Sequence, residues 1–441
     1  MVYTKAVKEF QNIIEKNRDD YIKEYQHLKS QVAESPAIYK GEPIDFLYHP
    51  LYLSDEDLEQ FKSLTDSLFG ILSKVIDRYL KDENFRKHFP FEPTLETLIL
   101  KDPGYSVNVP MARIDVFYHG AGKFQFCELN ADGSSAMVEA RELQRIIGES
   151  KAVQEHKKSH KITSFELFQS WFDALLKNYR EFSTSEKLPN IAIIDYIEGD
   201  TPLEFIEFKK NFEKNRCPTV IADVRELEYR DGVLYHKDFP IDCVYRRAVT
   251  WEIIENEEKS KAFIDAYLDG NVCVVGPLRS QIIHNKVIFA VLHNEEITSF
   301  LTAQERTFIK KHIPYTAHFN VEDSALVDKV RNQKDLYVLK PMDKYAALGV
   351  YIGKDCTQDE WEEVINTVAV EGYLVQKFCN LPSKELAFFK EDGLDYINFN
   401  YMVGLFCYNQ SFVGPYTRSG RKNLIGAVVE SYIVPNFRIS N

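Results

Sequence analysis

The chain of 441 residues reads as an α+β protein with a helical N-terminal region, and three observations predict it. Up to about residue 95, apolar residues recur at helical spacing among charges. From about residue 98 the chain becomes rich in β-branched and aromatic residues. Between 191 and 223 a strand–helix–strand pattern of βαβ type stands out. Net charge is −13, from 54 basic and 67 acidic side chains, so no nucleic-acid partner is expected. No apolar run approaches the length of a membrane span, and Lys5, Lys8 and Glu9 leave no apolar core for a signal peptide. Seven scattered cysteines without a C-x-x-C pair fit a reducing compartment and offer no zinc site. A soluble, cytoplasmic protein is the expectation, and nothing in the sequence decides for or against self-association.

In the first 95 residues, Phe10, Ile13, Ile14, Tyr21, Ile22 and Tyr25 mark helical faces. Ser54 with Glu56, Asp57 and Leu58 marks a helix start, followed by a stripe of Phe61, Leu64, Leu68 and Leu72. None of these carries chemistry; they are core-facing. Residues 113–130 then read as a β-hairpin around a Gly-containing turn. Alternation puts Arg113, Asp115 and Phe117 on one face of its first strand, and Phe124, Phe126, Glu128 and Asn130 on one face of its second. With 120–123 as a four-residue turn, Asp115 falls opposite Glu128, and Arg113 opposite Asn130. Like charges directly across a pair destabilise a hairpin. A hard divalent cation with oxygen ligands would relieve this one, Asn130 adding a neutral oxygen and Arg113 standing beside it as a planar donor fork. The other reading is a surface hairpin on which Arg113 pairs with Asp115 or Glu128; the charge pattern alone leaves both open.

Residues 131–135 close the second strand as a turn, and a helix follows over 138–147, with Ser134 or Ser135 as a candidate cap. Another amphipathic helix spans 165–180. The βαβ unit places strands at 191–195 and 219–223 around a helix at 201–215, with no G-x-G-x-x-G to mark a dinucleotide site. A strand ending in Arg246 and Arg247 runs into a helix containing Trp251; the two arginines could hold an anion, with one of them expected to be solvated. Lys286 stands at the start of an apolar helix, where its charge opposes the macrodipole and an anionic ligand would relieve it. Lys340 ends a strand at 336–341, ahead of a loop at 343–349 and a return strand at 350–352, a position that suits a phosphate ligand as well as a surface lysine. A strand at 372–378 follows. A final hairpin of 401–407 with 411–415 leads into Arg418 and Arg421. With no repeat and no Pro/Ser linker, the domains are expected to interlock.

Taken in order, these segments resemble the ligase domain of glutathionylspermidine synthases, which has a circularly permuted ATP-grasp fold. The resemblance rests on Arg113-x-Asp115 with Glu128-Leu-Asn130-Ala-Asp132, on Val244 to Glu252, and on Asn285-Lys286. It continues through Leu339-Lys340-Pro341, Val375 to Phe378 and Gly414 to Arg421. It covers the chain from about residue 95 onward. It implies four parts: a helical region (1–95), a metal-binding hairpin part of the ATP-grasp (96–180), a Rossmann-like unit (181–285) and an ATP-binding part (286–441). Asp115, Glu128 and Asn130 would hold Mg²⁺. Lys286 and Lys340 would hold ATP phosphates, and Gln376, Lys377 and Phe378 would line the adenine pocket, largely through backbone. Arg113 would stabilise the phosphoryl group in flight, and Arg418 would contact nucleotide or reacting phosphate. The implied activity joins a small-molecule carboxylate to an amine through an acyl phosphate, with glutathione and a polyamine as the family's substrates. An ATP-grasp peptide ligase and a nucleotide-binding scaffold are the alternatives. Two features depart from the family. No cysteine precedes Cys127, so the cysteine amidase activity of bifunctional members is not expected, and the loop at 343–349, usually glycine-rich, has one glycine.

Overall fold

In the computed structural model, residues 2–343, 348–368, 372–391, 393–426 and 429–440 are described. The N-terminal region forms helices Val2–Lys16, Arg18–Ala33 and Asp55–Lys81, the last opened by a reciprocal capping box between Ser54 and Asp57. Phe61, Leu64, Leu68 and Leu72 are buried in one core with Ile114, Val116 and Phe126 of the hairpin, so the long helix packs on the sheet that carries the acids. The region is not wholly helical. Leu51–Leu53, a run too short to show a period, is a buried strand pairing parallel with Asn436–Ser440, and Phe46 bridges Ile433.

The central sheet runs Tyr432–Val434, Ser411–Gly420, Leu394–Tyr408, Met111–Gly120, Lys123–Asn130, with Ser383–Phe389 on the free half of the long strand. The hairpin pairs Asp115 with Glu128 and Arg113 with Asn130, as the sequence predicts. Its turn is the four-residue turn expected at 120–123. Gly120 pairs with Lys123, and Ala121 and Gly122 both have positive φ (49° and 73°), the conformation that a two-residue hairpin turn requires. Two irregularities restore the acid register. His119 is skipped on the first strand and Cys127 on the second, and the two offsets cancel. The Cys127 bulge also flips the face: Phe126 pairs with Val116 in the core, so Phe124 and Phe126 do not share the face of Glu128 and Asn130.

The Rossmann-like unit is a four-stranded parallel sheet in the order Cys273–Val275, Cys243–Arg246, Ile191–Asp195, Thr219–Asp223. Its strands read as unbroken apolar runs because both faces are covered. A further antiparallel sheet orders Thr316–Phe319, Tyr373–Lys377, Tyr337–Pro341 and Tyr351–Ile352. Helices Ser324–Asn332 and Gln358–Val368 cover it through the fully buried Trp361. Of the loop expected at 343–349, residues 344–347 lie outside the described residues. The chain thus meets its acid-bearing hairpin before its lysine-bearing sheet, the order that a circular permutation of an ATP-grasp gives.

Candidate active site

One cavity of about 520 Å³ lies between the central sheet and the lysine-bearing sheet. Arg113, Glu128, Asn130, Lys286, Lys340, Gln376, Lys377, Phe378 and Arg418 all line it. Asp115, the tenth residue singled out from the sequence, is fully buried beneath the floor.

The floor is an ion-pair network. Arg113 Nε donates to Asp115 Oδ1 at 3.0 Å, and Arg418 Nη2 donates to Asp115 Oδ2 at 2.6 Å. Asn130 Nδ2 donates to Asp115 Oδ2 (3.1 Å) and to Glu128 Oε1 (3.3 Å), tying the two acids together. The positive partner that the facing carboxylates demand is therefore supplied in part by two guanidinium groups, although Asp115 is no surface residue. Gly404 makes this possible. It pairs with Asp115 across the sheet, and a Cβ there would stand 2.8 Å from both Asp115 Oδ1 and Arg113 Cδ.

Lys286 Nζ lies 3.9 Å from Glu128 Oε2. It occupies the cap position before the helix Val287–His293, and its backbone N–H donates to Met342 O at 2.9 Å, which couples it to the end of the Lys340 strand. Lys340 Nζ reaches Cys127 O at 3.5 Å, beside the bulge. Burial alone would raise the pKa of Glu128, but Lys286, Arg418, Lys340 and Arg113 outweigh it and hold the carboxyl down at about 2. Arg113 is likewise secured: burial opposes its charge, and Asp115 more than restores it. Glu128 and Asn130 bring oxygen-bearing side chains to the cavity, the donor type a hard divalent cation takes. Asp115 would join them once an arginine releases one of its oxygens.

Gln376 is buried, and its amide donates to Thr316 Oγ1 at 3.0 Å. The backbone N–H groups of Lys377 and Phe378 donate to Tyr315 O and Leu336 O and are already taken. Val338, Ile352, Leu381 and Met402 supply flat apolar wall beside them.

Several lining residues lie outside the set read from the sequence. Glu139, on the helix Met137–Gly148, is buried, and its pKa is pushed up to about 7 by burial, with a contribution from Glu204, although Tyr416 Oη donates to it at 2.5 Å. On the sequence it is one more acid in an amphipathic helix. Tyr39, Glu42 and Asp45 of the N-terminal region also line the cavity, where no chemistry was expected. Neither Ser134 nor Ser135 caps the helix: Ser134 Oγ donates to Asn130 O, and Glu204 Oε2 accepts from the N–H groups of Ala136 and Val138 instead. Nor is either of the adjacent arginines solvated. Arg246 is buried against Asp132 (2.6 Å) and Arg247 against Glu204 (2.8 Å), so the anions they hold are the protein's own. Burial would raise Asp132, and Arg246 holds it below the usual carboxylate range.

Residues 45–436 match the family model described as glutathionylspermidine synthase preATP-grasp. The chain is 22% identical over 377 residues to an ATP-grasp enzyme, ankG, of Aspergillus thermomutatus, covering 78% of this chain and 75% of that protein. Its fold is similar to the apo structure of a glutathione synthetase-like effector from Globodera pallida. The TM-score is 0.62 at 11% identity, over 95% of this chain and 97% of the other. No helix among the described residues is long and apolar enough to cross a membrane. The chain belongs to the glutathionylspermidine synthase preATP-grasp family and is an ATP-dependent ligase of ATP-grasp fold that forms carbon–nitrogen bonds.

Proposed function

We propose that this ligase joins a small-molecule carboxylate to a cationic, polyamine-like amine, with a glutathione-like acid as the leading candidate. The observation that carries the reading is the convergence of four cations on one cavity around Glu128 and Asn130. Phosphoryl transfer needs little covalent help from protein and much positioned positive charge. Lys286 and Lys340 hold phosphates of ATP, and Gln376, Lys377 and Phe378 border its base. The acid's carboxylate oxygen takes the γ-phosphoryl group and ADP leaves. The amine nitrogen then attacks the acyl carbon, phosphate leaves, and the nitrogen loses a proton. Arg113 and Arg418, pre-aligned by Asp115, face the charge that develops on the transferring group. Mg²⁺, where bound by Glu128 and Asn130 with Asp115, supplies further charge neutralisation on the phosphates. Support for a cationic amine comes from Glu42 and Asp45 at the exposed end of the cavity and from Glu139 within it.

The decisive measurement is ADP release with ATP and Mg²⁺, first with glutathione plus spermidine and then across a panel of acids and amines. Release that requires both an acid and a polyamine supports the reading. Release that requires an amino acid as the amine would replace it with a peptide ligase, and tight nucleotide binding with no release across the panel would favour a scaffold.

A further inference from the structure

Outside the lining of the cavity, three potential metal ligands meet where the first helix packs on the body. Glu9 comes from the helix Val2–Lys16, His156 from the helix Lys151–Lys157, and His160 from the turn before the strand Lys161–Thr163. One ligand atom from each lies within 4.8 Å of the other two. Glu9 Oε2 stands 2.8 Å from His160 Nε2 and 3.6 Å from His156 Nε2. In a tetrahedral zinc site with bonds of about 2.0–2.1 Å, ligand atoms are about 3.3 Å apart, and the two distances bracket that value. The imidazole planes of His156 and His160 are nearly perpendicular (87°), with centroids 4.9 Å apart, so the rings do not stack against each other. The other oxygen of Glu9, Oε1, pairs with Lys5 at 3.5 Å and leaves Oε2 to the histidines.

An independent observation points to a ligand. His156 is only 2% exposed; among the described residues nothing hydrogen-bonds its Nδ1, and its Nε2 has only the Glu9 carboxylate, at 3.6 Å. Buried imidazole nitrogens are ordinarily satisfied, and Nε2 of this one is aimed at the Glu9 carboxylate. The surroundings fix its position: Tyr52 meets the ring edge-on at 4.9 Å, and Phe10 closes another side at 6.2 Å. Two imidazoles and one carboxylate with a position left over form a three-ligand set of the kind that zinc accepts, and unlike the oxygen-rich set that magnesium takes.

We propose that Glu9, His156 and His160 bind a zinc-class divalent ion that pins the first helix to the body of the protein, independently of the nucleotide site. The test uses the full chain, stripped by a chelator and dialysed against zinc chloride alone, with zinc per chain measured by elemental analysis. One zinc per chain is expected in the wild type and in Glu128→Gln. At least a tenfold weaker affinity is expected in Glu9→Gln and in His160→Gln, both at partly exposed positions where the fold survives. Thermal melts give a second readout: zinc raises the melting temperature of the wild type and leaves both variants unmoved. A wild type that holds no zinc overturns the proposal. So does zinc retained equally by Glu9→Gln and His160→Gln, which would assign the metal to cysteines, or zinc lost in Glu128→Gln, which would assign it to the cavity.

Discussion

Arg418 Nη2 lies 2.6 Å from Asp115 Oδ2, a contact between residues 303 positions apart that closes the floor of the cavity. Removing the negative charge of the buried Asp115 takes from the half-buried Arg113 and Arg418 the carboxylate that both donate to. Asp115→Asn is therefore expected to weaken Mg²⁺–nucleotide binding and also to destabilise the fold, toward the low end of the ~3–5 kcal/mol typical of a broken buried pair, because Asn keeps an acceptor. Denaturant titration checks the stability, and Asp115→Asn with Arg418→Leu should recover part of the loss. Unchanged turnover in the single variant would remove Asp115 from the site.

Gly404 leads to a prediction about alignment. A methyl group there would press on Arg113 Cδ and Asp115 Oδ1 from across the sheet and so displace the Arg113 side chain. Gly404→Ala and Arg113→Ala are both expected to lower kcat more than they raise KM, because the contact strengthens in the transition state. Overpacking of this kind costs about 1–3 kcal/mol. Steady-state kinetics with ATP as the varied substrate would show it, and a wild-type kcat in Gly404→Ala would mean that Arg113 finds its position by other means.

The two lysines separate by pH. Lys340→Ala should raise the KM for ATP about tenfold or more, the loss of about 1.4 kcal/mol or more of binding. Lys286→Ala should do the same and in addition release Glu128, whose low pKa owes more to Lys286 than to any other cation. With that charge gone the carboxyl titrates higher, so the acidic limb of the pH–activity profile moves to higher pH in Lys286→Ala.

Glu139 carries the opposite sign. Its folded-state pKa of about 7 lies above the ordinary value of 4.5, so the folded protein binds the extra proton between them. Its contribution to stability therefore falls as pH rises from about 4.5 to about 7 and stays low above that. Glu139→Gln keeps an acceptor for Tyr416 and removes the charge. The variant should melt above the wild type at pH 8, by an amount on the order of 2–3 kcal/mol, with the gap closing by pH 5. A constant gap across that range would mean that Glu139 does not titrate there.

What could be read from the sequence was local and periodic. The acid pair was legible because alternation on two short strands and a glycine turn specify a register, and because two bulges cancel. The bulges themselves leave no trace in the pattern: Cys127 alternates like its neighbours, so the change of face at Phe126 could not be seen. Glu139 and Glu204 were missed for a related reason. An acid on an amphipathic helix looks solvated until a distant element covers it, and Glu204 caps a helix 66 residues away. Gly404 sat in plain view within a strand, but its purpose exists only once Arg113 lies across it.

The pairing of Leu51–Leu53 with Asn436–Ser440 and the seating of Leu394–Tyr408 beside Met111–Gly120 set the order in which the protein can mature during translation. When the ribosome has delivered the acid-bearing hairpin, one edge of that hairpin is still an open template. It stays open through synthesis of the Rossmann-like unit and the lysine-bearing sheet, because its partner strand Leu394–Tyr408 follows both in the chain. Until then Asp115 lacks Arg418, and Leu51–Leu53 has no strand to join. Loop closure over such distances is slow relative to local pairing. Nascent chains stalled before residue 394 should therefore present an unpaired strand edge to chaperones, and the ligase site is assembled only after the strand that carries Arg418 has emerged.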